Sequence, residues 1–277
     1  MKKFLVAVLL SVVTLLSSCS PQNTDHKTSV SENPVHRVKI VLLGAPGSGK
    51  GTFGAMLSSQ LNIPILSMGS AMREYFKSST NPEIAQLQSG KLLDDKTVTQ
   101  ILKQKLLEPQ YANGVILDGY PRTVAQGLML DEALGDRNGS LIIVNVNATL
   151  SAIEKRSSGR FMCAKCDAIY NIYSSLPKVH DKSLDSGKIT REQMLARSNM
   201  CTCDHCGSSK FYARKDDTRK VILYRYCEYR KNTLPLIKHY QKYQAFFDVD
   251  GNCDISLLSK QAIDLAQNLR PLLALKK

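Results

Sequence analysis

The chain has no tryptophan, only seven phenylalanines and eleven tyrosines, and too little acid to balance its base: 24 Asp and Glu against 37 Lys and Arg, a formal charge of +13. It also lacks an internal repeat, and it lacks an apolar run long enough to cross a membrane comfortably as a helix. Solenoid and membrane-spanning architectures are thereby set aside. Its eight cysteines lack the setting of a disulfide framework, which belongs as a rule to short secreted chains. At 277 residues the chain can bury a sizeable core in one large or two small domains, and aliphatic residues supply it. The shortage of acid suits a polyanionic partner, nucleic acid or nucleotide phosphates, and net charge alone does not separate the two.

The N-terminus has its own pattern. Lys2 and Lys3 precede an almost wholly apolar stretch, 4–16, and then Leu16-Ser17-Ser18-Cys19. Basic, apolar, small is the order of a secretion signal, and the last four residues resemble a bacterial lipobox, in which the cysteine is lipidated after cleavage. The expectation is a signal peptide over 1–18, with lipid on Cys19 anchoring the mature chain to a membrane surface without a spanning helix. The alternative is a start codon called too early and a cytoplasmic protein. Residues 19–36 are polar, without apolar period, and read as a flexible tether.

From residue 38 the character changes. The apolar run 38–43 predicts a buried parallel strand. It leads directly into Gly44-Ala45-Pro46-Gly47-Ser48-Gly49-Lys50-Gly51-Thr52, and a helical pattern follows through Phe53, Met56, Leu57 and Leu61. Strand, glycine loop and helix are the context of a phosphate-binding P-loop. Glycines let backbone N–H groups converge on phosphate oxygens, and the helix N-terminus adds positive partial charge. Gly47, Ser48, Gly49, Lys50, Gly51 and Thr52 are the candidate ATP-binding residues, with Lys50 reaching the β- and γ-phosphates and the Thr52 hydroxyl near Mg²⁺.

A second motif, Asp118-Gly119-Tyr120-Pro121-Arg122-Thr123-Val124-Ala125-Gln126, follows the apolar run 114–117. Together with GAPGSGKGT it resembles the adenylate kinase family, and the resemblance runs from about residue 38 to the C-terminus. It implies transfer of the γ-phosphoryl of ATP to AMP, giving two ADP, with Mg²⁺ and several cationic side chains around the moving group and two flaps that exclude water. The resemblance places the arginines: Arg122 and Arg73 on the AMP phosphate, Arg156 and Arg160 on the ATP phosphates, Arg214 and Arg225 returning from a lid toward the transferring phosphoryl. Lys50, Asp118, Arg122, Arg160, Arg214 and Arg225 form the implied catalytic set, Asp118 as the Mg²⁺ partner through water. Gly119, Tyr120, Pro121, Met68, Lys91, Leu92 and Leu93 fall along the implied AMP pocket, Gln126 at the adenine edge. Ile169 and Tyr170 fall where the family covers the ATP base, Cys253 falls on the ATP side, and Asp216 and Asp217 form an acidic pair at the lid hinge. The implied partners are ATP, AMP and ADP, without nucleic acid, and the implied state is a monomer.

Two C-x-x-C pairs, Cys163/Cys166 and Cys203/Cys206, read as a four-thiolate structural Zn²⁺ site, with disulfides as the alternative. They open and close the lid in the way of zinc-lid family members. A lid of this size is expected to have little core, leaving its folding to the metal. Cys201 is a substitute ligand for Cys203, and Cys227 and Cys253 read as small core residues.

The chain departs from the family pattern at Met68, where a threonine is usual, at Ser70 for an aspartate, at Phe161 for a second lid arginine and at Asn171 for a histidine. A polar insert between Lys178 and Met200 is expected to form a loop with a short helix. The fold class expected is α/β: a P-loop nucleoside monophosphate kinase, with strands at 38–43, 115–117, 141–146 and 246–249 in a parallel sheet flanked by helices. An AMP-side flap is expected over about 67–96, a lid over about 159–214, and a helical run over 218–243 broken near Pro235. Two other functions stay open: a nucleoside monophosphate kinase for UMP, CMP or GMP, and a non-catalytic, membrane-tethered nucleotide-binding protein.

Overall fold

The computed structural model describes residues 34–77, 94–135, 141–197, 199–242 and 245–274. A 3₁₀ turn, Pro34–Arg37, leads into β1 (Val38–Leu43), and the glycine loop leads from β1 into α1 (Lys50–Leu61). There follow β2 (Ile65–Ser67), α2 (Met68–Lys77), α3 (Asp95–Leu106), β3 (Val115–Asp118), α4 (Val124–Leu134), β4 (Ile142–Asn147) and α5 (Leu150–Gly159). Short strands come next: β5 (Arg160–Cys163), β6 (Ile169–Asn171), β7 (Val179–His180), then the helix α6 (Arg191–Leu195), β8 (Cys201–Thr202) and β9 (Phe211–Tyr212). The chain returns through α7 (Arg219–Glu228), a π-helical turn at Tyr229–Thr233, α8 (Leu234–Tyr240), β10 (Phe246–Asp250) and α9 (Ile255–Ala274).

The main sheet is parallel throughout, in the order β10-β4-β1-β3-β2. A parallel sheet must be covered on both faces, and the strands show it residue by residue. Ile40 and Leu42 of β1, Ile116 of β3 and Val144 of β4 pack against Phe53 and Leu57 of α1 and against Ala262 and Leu269 of α9. Val41 and Leu43, Leu117 and Ile143 pack the other way, against Leu102 of α3, Leu130 of α4 and Leu236 of α8. Val38 shares this second face although it lies three residues from Val41, because the register shifts between Val38 and Ile40. Each of these fully buried side chains is worth about 1.5–3 kcal/mol relative to exposure.

The helices begin where their caps say. Asp94 accepts from the Thr97 amide, Thr123 from Gln126 and Thr149 from Ala152, each satisfying an amide with no partner inside its helix. Pro235 sits in the first turn of α8, where its missing N–H costs nothing, and the preceding turn widens to π geometry. The strand β2, three residues at the sheet edge, was not among the four expected: so short an apolar run carries no period of its own.

Two further expectations need correction. The 3₁₀ turn at Pro34–Arg37 begins within the stretch 19–36 expected as tether, and Val35 is 2 % exposed within the core. The lid also has a core of its own. Its strands pair antiparallel as β6-β5-β9 and β7-β8, and Phe161, Tyr170, Ile172, Leu184, Met194 and Met200 bury one another there. The insert supplies Leu184, Met194 and Met200, so the polar stretch is half of a small fold: a 3₁₀ turn at Lys182–Ser186 and the helix α6, with a complete Thr190–Gln193 capping box.

Candidate active site

The loop between β1 and α1 is built by its glycines. Gly44 has φ +134°, and a Cβ there would run into the Val146 carbonyl of the neighbouring strand; Gly47 has φ +83° and lies against Ile153. The loop thus lies against β4 and α5 and leads into α1, whose N-cap is Gly49. Lys50 folds back over it and donates to the Ala45 carbonyl at 2.9 Å. Ser48 is buried, and its Oγ has no hydrogen-bond partner among the described residues. Desolvation pushes the Lys50 ammonium down to about 8; Asp118 pulls the other way, and Arg122 and Arg160 add to the depression.

The end of β3 brings the second motif alongside. The Asp118 carboxylate lies beside Gly51, where a Cβ would be in ordinary contact with Oδ2 at 3.7 Å. Arg122 turns back to donate from Nε to the Gly119 carbonyl at 2.9 Å, and its own carbonyl accepts from Thr233 Oγ1 at 2.8 Å. Burial lowers the Arg122 pKa, Asp118 opposes, and the charges of Arg225 and Arg73 lower it further. Arg73, on α2, donates to Ser70 Oγ at 2.8 Å, and its pKa falls through burial and then through the lid's Arg214.

From the lid, Arg160 makes a two-point ion pair with Asp217, which is 4 % exposed. Arg214 pairs with Asp216 through Nε at 2.9 Å and Nη2 at 2.5 Å, and Arg225 reaches the same carboxylate at 2.6 Å. Burial alone would raise the Asp216 pKa; the two guanidiniums outweigh it and hold the carboxyl well below the usual carboxylate range. Arg156 bridges the Ser48 carbonyl at 3.1 Å and the Cys253 carbonyl at 2.8 Å. Lys50, Arg73, Arg122, Arg160, Arg214 and Arg225 are therefore cations within electrostatic reach of one another, outnumbering Asp118, Asp216 and Asp217 two to one. Such a field is costly without an anion, and the fork of each guanidinium fits phosphate oxygens.

Several expected contacts lie elsewhere. Tyr170 is not available to cover a base: it is 5 % exposed, packed between Phe161 and Phe211, and its hydroxyl donates to Cys203 Sγ at 3.4 Å. Ile169 is half exposed. The Met68 side chain is fully buried in the core under α2, where a long apolar chain gains more than at a base. Tyr120 is buried as well, its hydroxyl against Thr99, and Pro121 follows a cis peptide bond. Gln126 is 2 % exposed and already engaged at both ends, accepting from the Arg122 amide and donating to Asp95, each at 2.7 Å. Cys227 is exposed and so is not a core residue, whereas Cys253 is half-buried and packs against the core under α9. Lys91, Leu92, Leu93 and Cys19 lie outside the described residues. Sequence reasoning missed Asp95, Thr233 and Arg191, which hold the named residues in place, and noted Asn171 only as a departure from the family pattern; only the doubled acid at the start of α3 signals Asp95.

The four lid cysteines converge. Their Sγ atoms all lie within 4.8 Å of one another, Cys163 to Cys206 at 3.5 Å and Cys166 to Cys203 at 3.6 Å. The edge of a thiolate tetrahedron around Zn²⁺ is about 3.8 Å, so the donor set fits that ion. The two knuckles are alike: Asp167 and Gly207, each just past the second cysteine, have φ +57° and +69° and return an N–H to the carbonyls of Cys163 and Cys203. None of the described cysteines forms a disulfide, and Cys201 is buried outside the cluster.

The family model for adenylate kinase matches residues 42–245. Adenylate kinase of Thermosipho melanesiensis is 35 % identical over 232 residues, 82 % of this chain and 99 % of that protein. Adenylate kinases of Nitrosococcus oceani and Archaeoglobus fulgidus are 33 % and 32 % identical, each over 84 % of this chain and the whole of their own length. With the P-loop, the Asp118–Gln126 turn and the lid arginines gathered on one site, the chain belongs to the adenylate kinase family.

Proposed function

We propose that the chain is an ATP:AMP phosphotransferase. The observation that carries this reading is the convergence of Lys50 and five arginines from the P-loop, α2, the turn after β3, the lid and α7. An oxygen of the AMP phosphate attacks the γ-phosphorus in line; the bond to the β–γ bridging oxygen breaks and its electron pair leaves with ADP. Lys50, Arg122 and Arg160 neutralise the transferring group. Arg214 and Arg225 exchange Asp216 for phosphate oxygens, and Arg160 leaves Asp217 as the lid closes and excludes water. Asp118 and Thr52 offer the hard oxygen ligands that would hold Mg²⁺, which screens phosphate charge when bound with ATP. Cys163, Cys166, Cys203 and Cys206 would hold a structural Zn²⁺.

The test is ADP formation from ATP with AMP, UMP, CMP or GMP as acceptor. AMP is expected to be preferred; turnover with none of the four, while ATP still binds, overturns the reading. Metal analysis of the same protein is expected to find zinc.

For location, the basic, apolar and small-residue order of 1–18 supports a cleaved signal and lipid on Cys19, with the mature monomer held at a membrane surface. No helix among the described residues is long and apolar enough to cross a membrane. Mass spectrometry of the native N-terminus is expected to find lipidated Cys19; an unmodified start near His36 points instead to the cytoplasm.

A further inference from the structure

The last turn of α5 joins the sheet to the lid, and its carbonyls are the ones a helix leaves without internal partners. The carbonyls of Arg156 and Gly159, and that of Ser157, which also accepts from the Arg160 amide, take donors from the lid. The Arg156 carbonyl accepts from Asn171 Nδ2 at 2.8 Å, and the Gly159 carbonyl from the Ile172 amide at 2.9 Å. Arg191 Nη1 donates to the Ser157 carbonyl at 3.0 Å and to the Arg160 carbonyl at 3.2 Å. Arg191 is 9 % exposed, its remaining nitrogens turned to Glu192. It belongs to α6 in the insert, and α6 is pinned to the lid core by Met194. Gly159 allows the close approach, since a Cβ there would lie 2.5 Å from Tyr173 and 2.7 Å from Asn171.

We infer that Arg191 is a positioning residue for the ATP-side arginines, making the last turn of α5 part of the lid. The two arginines that flank this turn point to different bodies: Arg156 to the Ser48 and Cys253 carbonyls, Arg160 to Asp217. With the turn fixed to the lid, lid closure carries both guanidiniums as a pair in fixed register. Without Arg191 the pair loosens, and Ser157 and Arg160 lose a charged donor at a helix C-terminus, where a cation is favoured. The insert thus has a mechanical role in the reaction, through residues that themselves face ATP. This inference rests on the phosphotransferase reading.

The experiment compares Arg191→Met, Arg191→Lys and, as control, the exposed Lys188→Ala in the same insert. Arg191→Met is expected to raise the KM for ATP about tenfold while the KM for AMP stays within about twofold, and Arg191→Lys, which keeps a cationic donor, to recover most of the loss. Lys188→Ala is expected to match the parent. Amide hydrogen exchange provides the second measurement: in Arg191→Met, segments 156–160 and 169–173 are expected to lose protection together while 44–52 keeps its own. Unchanged KM for ATP in Arg191→Met overturns the proposal, as do equal losses for ATP and AMP, absence of rescue by lysine, or unchanged exchange in both segments. A parent protein without turnover sinks the phosphotransferase reading instead, and the exchange measurement still judges the clamp.

Discussion

Lys50 shows how a single side chain ties the fold to pH. Its ammonium, pushed down to about 8 by desolvation, is charged below that pH and neutral above it. A triphosphate favours the charged form, so binding above pH 8 must take up a proton. ATP affinity is therefore expected to hold below about pH 8 and to weaken by up to about tenfold per unit as pH rises beyond it; KM for ATP across pH 6–10 checks this. Lys50→Met should lower kcat by about 10²–10³-fold, measured at saturating ATP. Asp216 titrates at the other end of the scale. Its folded pKa lies below the unfolded value of about 3.9, so the stability it contributes is full above that pH and is lost as pH falls through the folded pKa. Asp216→Asn leaves Arg214 and Arg225 facing one another without their carboxylate, at a cost of about 3 kcal/mol in thermal or urea unfolding. A bisubstrate analogue with two nucleosides joined through a phosphate chain should recover most of that loss, because its phosphates replace the missing carboxylate.

At the scale of elements, the P-loop depends on backbone geometry and the lid on its own core, beside a four-cysteine cluster that would hold the proposed Zn²⁺. Gly44→Ala meets a left-handed φ and the Val146 carbonyl together, so a loss of at least about 1–3 kcal/mol is expected, with weakened ATP binding measured by calorimetry. The lid behaves differently from a metal knuckle with no interior. Its apolar cluster of Phe161, Tyr170, Leu184, Met194 and Met200 is built from side chains other than the four cysteines, so removing the proposed Zn²⁺ is expected to leave that cluster in place while Cys163, Cys166, Cys203 and Cys206 lose the ion they would share. Chelation is expected to lower the lid's unfolding temperature and leave the parallel-sheet body unchanged, seen as a low-temperature transition split from the main one in scanning calorimetry.

For the whole molecule, the folded body starts before β1. Val35 is buried and the Arg37 guanidinium donates to the Leu106 carbonyl at the end of α3, at 2.6 Å. A chain beginning at Pro34 is expected to keep full turnover and stability. One beginning at Val38 should lose about 1.5–3 kcal/mol for the buried valine alone, read from the urea midpoint. Both start points leave the proposed signal and Cys19 behind, so they separate what the leader does from what the 3₁₀ turn does.

The sequence by itself determined the parallel α/β body, because buried strands and amphipathic helices carry their periods locally, and it determined the P-loop, because Gly44 to Thr52 is a contiguous stretch whose chemistry is written in adjacent residues. The arginines and the two cysteine pairs were legible by position within known motifs. Tertiary structure alone decided the rest. That Tyr170 and Met68 turn into cores, that Gln126 is held by Asp95, and that Val35 belongs to the body are outcomes of packing between segments far apart in the chain. The role of the insert is the clearest case. Read as a string it is polar and predicts only a loop with a short helix; folded, it contributes half an apolar core and one buried guanidinium on the carbonyls of Ser157 and Arg160, contacts that span more than thirty residues and leave no local period to read.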